Sequence, residues 1–318
     1  MARWTAADIP DLTGRQAVVT GANSGLGFQT ALALAQHGAA LVLACRDQNR
    51  GAQALRQLQT LLPAAKLELA PLDLADLSSV RQFAEAYGAK HRRLDLLVNN
   101  AGVMAIPRRQ TADGFEMQFG INHLGHFALT GRLLPLLATA PAARVVTVSS
   151  NAHRSGRINF ADLQSEQHYR RWAVYSQSKL ANLLFTFELQ RKIDAAGLDL
   201  RSVAAHPGFA ATNLATAGPR MSGHRLLERL FRAGTRLIGQ SAAKGALPTL
   251  YAATAEDVPG GAYYGPDGLG EQRGYPKRVS STSQANDEEV AKRLWQVSED
   301  LTGVHYAAIE RVGLQPIG

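Results

Sequence analysis

The stretch Thr20-Gly21-Ala22-Asn23-Ser24-Gly25-Leu26-Gly27 follows a short apolar run at 16–20 and leads into a helix-period run at 28–37. It is therefore a glycine turn between a strand and a helix. Gly21 permits the tight turn, Gly25 lets backbone approach a pyrophosphate at the positive end of the helix, and Gly27 lets helix pack closely on strand. Asn23, Ser24 and Leu26 complete the turn and are expected to touch the same ligand.

Outward from this turn the chain keeps one rhythm. Apolar runs at 40–44, 66–71, 94–98 and 144–149 alternate with helical stretches, and a long helix at 172–195 precedes further strands at 199–205 and 262–264. Strand, helix, strand in repetition builds right-handed crossovers. The expectation is an α/β, doubly wound, mostly parallel seven-stranded sheet flanked by helices. No linker or composition break divides the chain, so 1–318 is expected to form a single dinucleotide-binding domain. Two irregular stretches, 151–171 and 212–240, leave strand ends where open α/β sheets bind ligands. The second carries Leu226, Leu227, Leu230 and Phe231 at helix spacing with Arg225, Arg229, Arg232 and Arg236 on another side, and it is expected to form a substrate lid. The arginine row is either its solvated side or a handle for an acidic substrate.

Composition removes several function classes. No apolar run approaches the roughly 20 residues that a membrane helix needs, and the opening fifteen residues lack a signal-peptide order, so an integral membrane segment is not expected. The single cysteine, Cys45, rules out an internal disulfide framework and a cysteine-based zinc cage, and a cytoplasmic location is expected. The net charge of +8 comes from scattered arginines without an aromatic-interleaved stripe, so no nucleic-acid partner is expected. His123 and His126 lie three apart with no carboxylate or third histidine placed to complete a site, and no metal is expected.

The second strand ends Ala44-Cys45-Arg46-Asp47, where a dinucleotide site usually offers a carboxylate to the ribose. A guanidinium there can grip a 2′-phosphate, and the absent carboxylate removes a repulsion, so NADP is favoured over NAD. Asp47 reads as a helix cap; swung inward it would serve NAD instead. Asn99-Asn100-Ala101-Gly102 follows the fourth strand, and its small residues would let a cofactor lie against backbone. Tyr175 and Lys179 are four apart, one helical turn on one face, where an ammonium beside a phenol favours phenolate. They lie downstream of Asn122 and of a strand ending in Ser149-Ser150.

These motifs, in this order, resemble the short-chain dehydrogenase/reductase family from about residue 14 to 265. The form Thr-Gly-x-x-x-Gly-x-Gly, the Asn-Asn-Ala-Gly turn and Tyr-x-x-x-Lys carry the likeness. The resemblance implies a Rossmann fold and an oxidoreductase. It implies Tyr175 as general acid/base and Ser150, second of its pair, bonding the substrate oxygen. Lys179 would hold the nicotinamide ribose, and Asn122 would anchor a water relay to Lys179. Tyr175 and Lys179 thus also touch the cofactor. Asp73 and Leu74 resemble the adenine-contacting pair, Asn99, Ala101 and Gly102 line the adenosine pocket, and Pro207, Gly208 and Thr212 resemble the family's turn over the nicotinamide carboxamide and a phosphate. The strings at 44–47, 121–127 and 175–182 look like retinol dehydrogenases, which implies NADP(H) acting on a small apolar alcohol or carbonyl. A non-catalytic NADP-binding redox sensor and a reductase of an activated carbon-carbon double bond are the alternatives. The family often pairs subunits through the helices following Asn99 and containing Tyr175, so a homo-oligomer is left open.

Overall fold

The computed structural model describes residues 3–209 and 240–310. Eight strands form one sheet: β1 (Gln16–Thr20), β2 (Ala40–Cys45), β3 (Leu67–Pro71), β4 (Leu96–Asn99), β5 (Ala143–Val148), β6 (Leu200–Ala205), β7 (Tyr263–Pro266) and β8 (Pro276–Arg278). Their order is β3-β2-β1-β4-β5-β6-β7-β8. The seven expected strands are all parallel, and β8 joins the edge antiparallel to β7. The sequence reading of seven strands is corrected to eight; β8 is three residues long, begins with proline and is largely exposed, so it carries no apolar run to announce it. The central strands are apolar throughout because both faces are covered: every residue of β4 and β5 is buried.

Helices α1 (Gly25–Gln36) and α2 (Gln48–Leu61) flank one face, joined by α7 (Ala242–Thr254). Their apolar sides bury Leu34, Leu58 and Leu247 against Leu43 and Val98 of the sheet. On the other face lie α3 (Leu77–Lys90), α5 (Gly125–Ala138) and α6 (Arg171–Ala195), which α8 (Glu288–Thr302) and α9 (Ala307–Glu310) cover in turn. Phe83, Phe127, Phe185, Trp295 and Tyr306 make the aromatic heart of that layer. Each such side chain contributes about 1.5–3 kcal/mol on burial. Tyr306 also donates to the Phe127 carbonyl at 2.7 Å, and Gly131 leaves the room its ring needs.

Between β4 and α5 the chain makes a short helix α4 (Met117–Phe119) and then a π-helical turn at Gly120–Leu124. Among the described residues no helix is long and apolar enough to cross a membrane. Of the expected lid at 212–240 only Gln240 is described, so that reading, the side chains Leu226 to Arg236 and Thr212 all lie outside the described residues.

Candidate active site

The strand order reverses between β1 and β4, and the carboxyl ends of the strands open there into a cleft of about 330 Å3. Gly21 and Gly25 have φ of +66° and +57°, which L side chains rarely adopt. A Cβ on Gly27 would sit 2.5 Å from the Gly21 carbonyl, so only glycine lets α1 seat this closely on β1. Ser24 is the N-cap of α1 yet makes no side-chain capping bond. The first-turn N–H groups of α1 therefore face the cleft without that partner, which suits an anion.

Gly21, Asn23, Ser24, Gly25, Leu26, Gly27, Arg46, Asp73, Leu74, Ala101 and Gly102, all expected contacts, line this cleft. Asn99 does not. Its side chain is buried and donates to Thr130 Oγ1 at 3.0 Å, while Asn100 turns to the cleft and donates to the Thr20 carbonyl at 2.7 Å. β4 ends at Asn99, whose side chain ties the strand to α5, and the chain turns only at Asn100. Asp47 accepts from Arg50 N at 3.0 Å as the cap of α2. Arg50, one turn into α2, joins Arg46 on the cleft wall; the sequence reading passed over it, although its spacing from Arg46 put both on one side of a helix start.

The second group of residues gathers at the end of β5. Ser150 follows the strand and caps a 3₁₀ turn at Asn151–Ser155 through Ala152 N. Tyr175 and Lys179 project from the first turns of α6, 4% and 3% exposed. The Tyr175 hydroxyl faces Ser150, whose side chain favours the ionised phenol, and the Lys179 ammonium lies 5.9 Å from the Tyr175 ring centre. Ser149, by contrast, donates to the Lys179 carbonyl at 2.8 Å and is structural. Lys179 Nζ donates to the Val148 carbonyl at 3.0 Å and faces Gly102 of the cleft. Asn122, in the π-helical turn, accepts from Val103 N at 2.8 Å and donates to Ser178 Oγ at 2.9 Å. The structure thus brings Asn122, Ser150, Tyr175 and Lys179 together beside the Gly102 end of the cleft.

Electrostatics here differ from the sequence expectation. Burial pushes the Tyr175 phenol up to about 12, only partly opposed by the Ser150 side chain, and burial pulls Lys179 down to about 8. The expected lowering of the tyrosine combines the ammonium with the charge of a bound nicotinamide, and the ammonium alone does not produce it. Its ammonium is instead turned to the Val148 carbonyl, and desolvation of both groups wins.

Pro207 and Gly208 form the turn after β6. Gly208 has φ +62°, and a Cβ there would meet the Gln272 carbonyl at 2.4 Å. Its N–H donates to His206 Nδ1, and His206 Nε2 donates to Glu271 at 3.1 Å. Arg154 pairs with the same carboxylate, so one residue links the loops after β5, β6 and β7. Trp172, half exposed, stands edge-on to Tyr175 at 6.0 Å, and Phe209 is 40% exposed beside the turn. His123 and His126 are buried and bonded to Ser298 and Thr20, and among the described residues no group of three His, Cys, Asp or Glu could hold a metal ion.

A family model described as short chain dehydrogenase matches residues 15–221. Retinol dehydrogenase 14 of Mus musculus is 41% identical over 303 residues, which cover 92% of this chain and 86% of that protein. Retinol dehydrogenase 12 of Homo sapiens is 40% identical over 297 residues, covering 93% and 88%. Among solved structures, an uncharacterized protein from Mycobacterium Paratuberculosis superposes with a TM-score of 0.79 at 45% identity, over 96% of this chain and 99% of that one. A short chain dehydrogenase from Shigella flexneri shares the fold, with a TM-score of 0.60 at 22% identity over 80% of this chain and 97% of that one.

Proposed function

The chain belongs to the short-chain dehydrogenase/reductase family, in its retinol dehydrogenase-like branch, and from that premise we propose that it moves hydride between NADP(H) and a hydrophobic alcohol, aldehyde or ketone. It is an oxidoreductase acting between CH–OH and C=O. The observation that carries the proposal is the buried Tyr175 hydroxyl facing Ser150, with Lys179 one turn along and the cleft opening at Gly102 beside them. The whole chain is read as one dinucleotide-binding unit, and its single buried cysteine asks for no oxidising compartment, which suits the cytoplasm.

The residues present fit the cofactor. Backbone N–H groups at the start of α1 would hold the pyrophosphate, Asp73 and Leu74 would bound the adenine, and Gly102 would let the nicotinamide end lie against backbone. Arg46 and Arg50 at the rim would take a 2′-phosphate, because Asp47, the carboxylate between them in the chain, is engaged as a helix cap. When bound, the cofactor supplies or accepts the hydride at its nicotinamide ring.

The protein's own part is proton transfer and orientation. Ser150 Oγ donates to the substrate oxygen and fixes its position; Tyr175 Oη, beside it, gives that oxygen its proton in reduction and removes it in oxidation. Lys179 steadies charge on Tyr175 and grips the ribose, and Asn122 anchors the relay that returns the proton. Trp172, edge-on to Tyr175 and half exposed, offers an apolar surface to such a substrate. The test is a fluorescence titration with NADPH and NADH, then NADPH oxidation over a panel of apolar aldehydes and ketones, on wild type and Tyr175→Phe. The variant should keep NADPH affinity within about threefold and lose at least about a hundredfold in kcat, the range of general acid catalysis. Equal turnover by Tyr175→Phe would end the proposed role.

A further inference from the structure

Thr20, the last residue of β1, has a fully buried hydroxyl with one proton and two lone pairs. Its oxygen accepts from Asn100 N at 2.9 Å and from Ala101 N at 2.9 Å, the two amides that hold the turn after β4 against the cleft. Both lone pairs are then in use, and the hydroxyl must donate. Two acceptors are in reach: His126 Nε2 at 2.9 Å and the Val98 carbonyl at 3.4 Å, which already accepts from Asn100 N at 3.0 Å. The nearer, less engaged acceptor takes the proton, so His126 Nε2 is unprotonated. A neutral imidazole carries its proton on the other nitrogen. His126 Nδ1 lies 3.1 Å from the main-chain carbonyl of Asn122, to which it donates.

We infer that His126 is a positioning residue, fixed as the Nδ1–H tautomer, that ties the cofactor-side turns at Thr20 to the Asn122 carbonyl and so sets the relay leading to Lys179. The inference rests on the roles proposed above for Asn122 and Lys179. A carbonyl has two lone pairs, and the imidazole holds one of them, which fixes how the Asn122 carbonyl is presented. The Asn122 carbonyl belongs to a π-helical turn, an irregularity frequent at functional sites, and such a turn needs an outside group to hold one geometry. His126 is 1% exposed, and the charged or titratable groups that act on it are the Lys179 ammonium and neighbouring His123; among the described residues no carboxylate does. Protonation of Nε2 would oppose it to a hydroxyl with no free lone pair, so the neutral form is kept.

Two conservative variants separate the arms, because a glutamine amide reaches about as far as imidazole Nε2 and an asparagine amide about as far as Nδ1. His126→Gln keeps the partner for Thr20 and gives up the bond to Asn122; it should lose about tenfold in kcat, the worth of one buried hydrogen bond, with the NADPH dissociation constant within about threefold. His126→Asn keeps the bond to Asn122 and gives up Thr20; it should weaken NADPH binding about tenfold and lower kcat at saturating cofactor by less. Glutamine and asparagine that altered affinity and kcat together, or altered neither while melting earlier, would make His126 a packing residue and overturn the inference. The ¹⁵N spectrum of the imidazole in the wild-type protein, assigned by its loss in His126→Gln, reads the tautomer without any turnover. A proton on Nε2 refutes the inference whatever the kinetics. A wild type that shows the Nδ1–H tautomer but binds no NADPH and reduces no carbonyl refutes the proposed function instead.

Discussion

Replacing Arg46 with alanine should remove most of the preference for NADPH over NADH. Arg46 precedes the cap of α2 and Arg50 lies in its first turn; both are exposed on the cleft wall, and neither makes an ion pair among the described residues. A unit charge pair at 4 Å is worth about 4 kcal/mol at the effective dielectric of a protein surface and about 1 kcal/mol in water. Exposure places Arg46 near the lower figure, and charge-assisted hydrogen bonds bring one guanidinium–phosphate contact to about 2 kcal/mol. That is roughly a 30-fold weaker NADPH dissociation constant for Arg46→Ala. Arg50→Ala should cost about tenfold, a single contact at about 1.4 kcal/mol. NADH affinity should stay within about threefold in both variants, since NADH lacks the phosphate. Raising salt from about 0.05 to 0.5 M should shrink the wild-type preference, because exposed charges are screened over a few ångströms. Direct fluorescence titration of both nucleotides on the three proteins is the assay. Equal losses for NADPH and NADH would mean that Arg46 supports the backbone of the turn and not the phosphate. A wild type without preference would refute the reading of the second strand outright.

Two pH effects follow from buried groups. His123 and His126 are pushed down to about 3 and about 4 by desolvation, so below about pH 6.5 the unfolded chain takes up protons that the native one refuses; urea unfolding should show about 2 kcal/mol lost per histidine between pH 7.5 and 5, and a flat profile would contradict their neutral burial. In carbonyl reduction the Tyr175 phenol, pushed up to about 12, stays protonated across the neutral range, so the alkaline limit on kcat/KM should be set by Lys179 near 8, with a tenfold fall per unit above it. A fall beginning below pH 7, or one unmoved in Lys179→Arg, would point to another group.

The sequence carries the strand rhythm and the glycine turn because both depend on neighbours a few residues away: period and turn chemistry are local. The four residues Asn122, Ser150, Tyr175 and Lys179 were also readable, through the order of motifs. What escaped depends on distance along the chain. Nothing in Asn99-Asn100 says which amide faces the cleft until β4 is seen to end at Asn99. The Thr20–His126 bond spans 106 residues, and His126 alone reads as one more helix histidine. The burial that raises Tyr175 and lowers Lys179 is likewise invisible locally, since a turn of helix brings two groups near while the surrounding fold decides how dry they are.

Three consecutive residues at the end of β5 hold the Tyr175–Lys179 pair in place. The Val148 carbonyl accepts from Lys179 Nζ at 3.0 Å, and from Asn182 Nδ2 at 3.1 Å; Ser149 Oγ holds the Lys179 carbonyl; Ser150 faces the Tyr175 hydroxyl. Both ends of the helical pair are therefore fixed by the register of one strand against one helix. A lysine ammonium has three donors, and with one committed to Val148 it cannot swing freely onto the phenol. In the low dielectric of this wedge a charge placed nearby acts more strongly than it would on a solvated helix. The same Tyr-x-x-x-Lys spacing on an exposed helix would have neither the orientation nor the leverage. What makes these two side chains a proton-transfer pair is thus the parallel crossover that lays α6 across the end of β5, with Gly102 opening the cleft beside them.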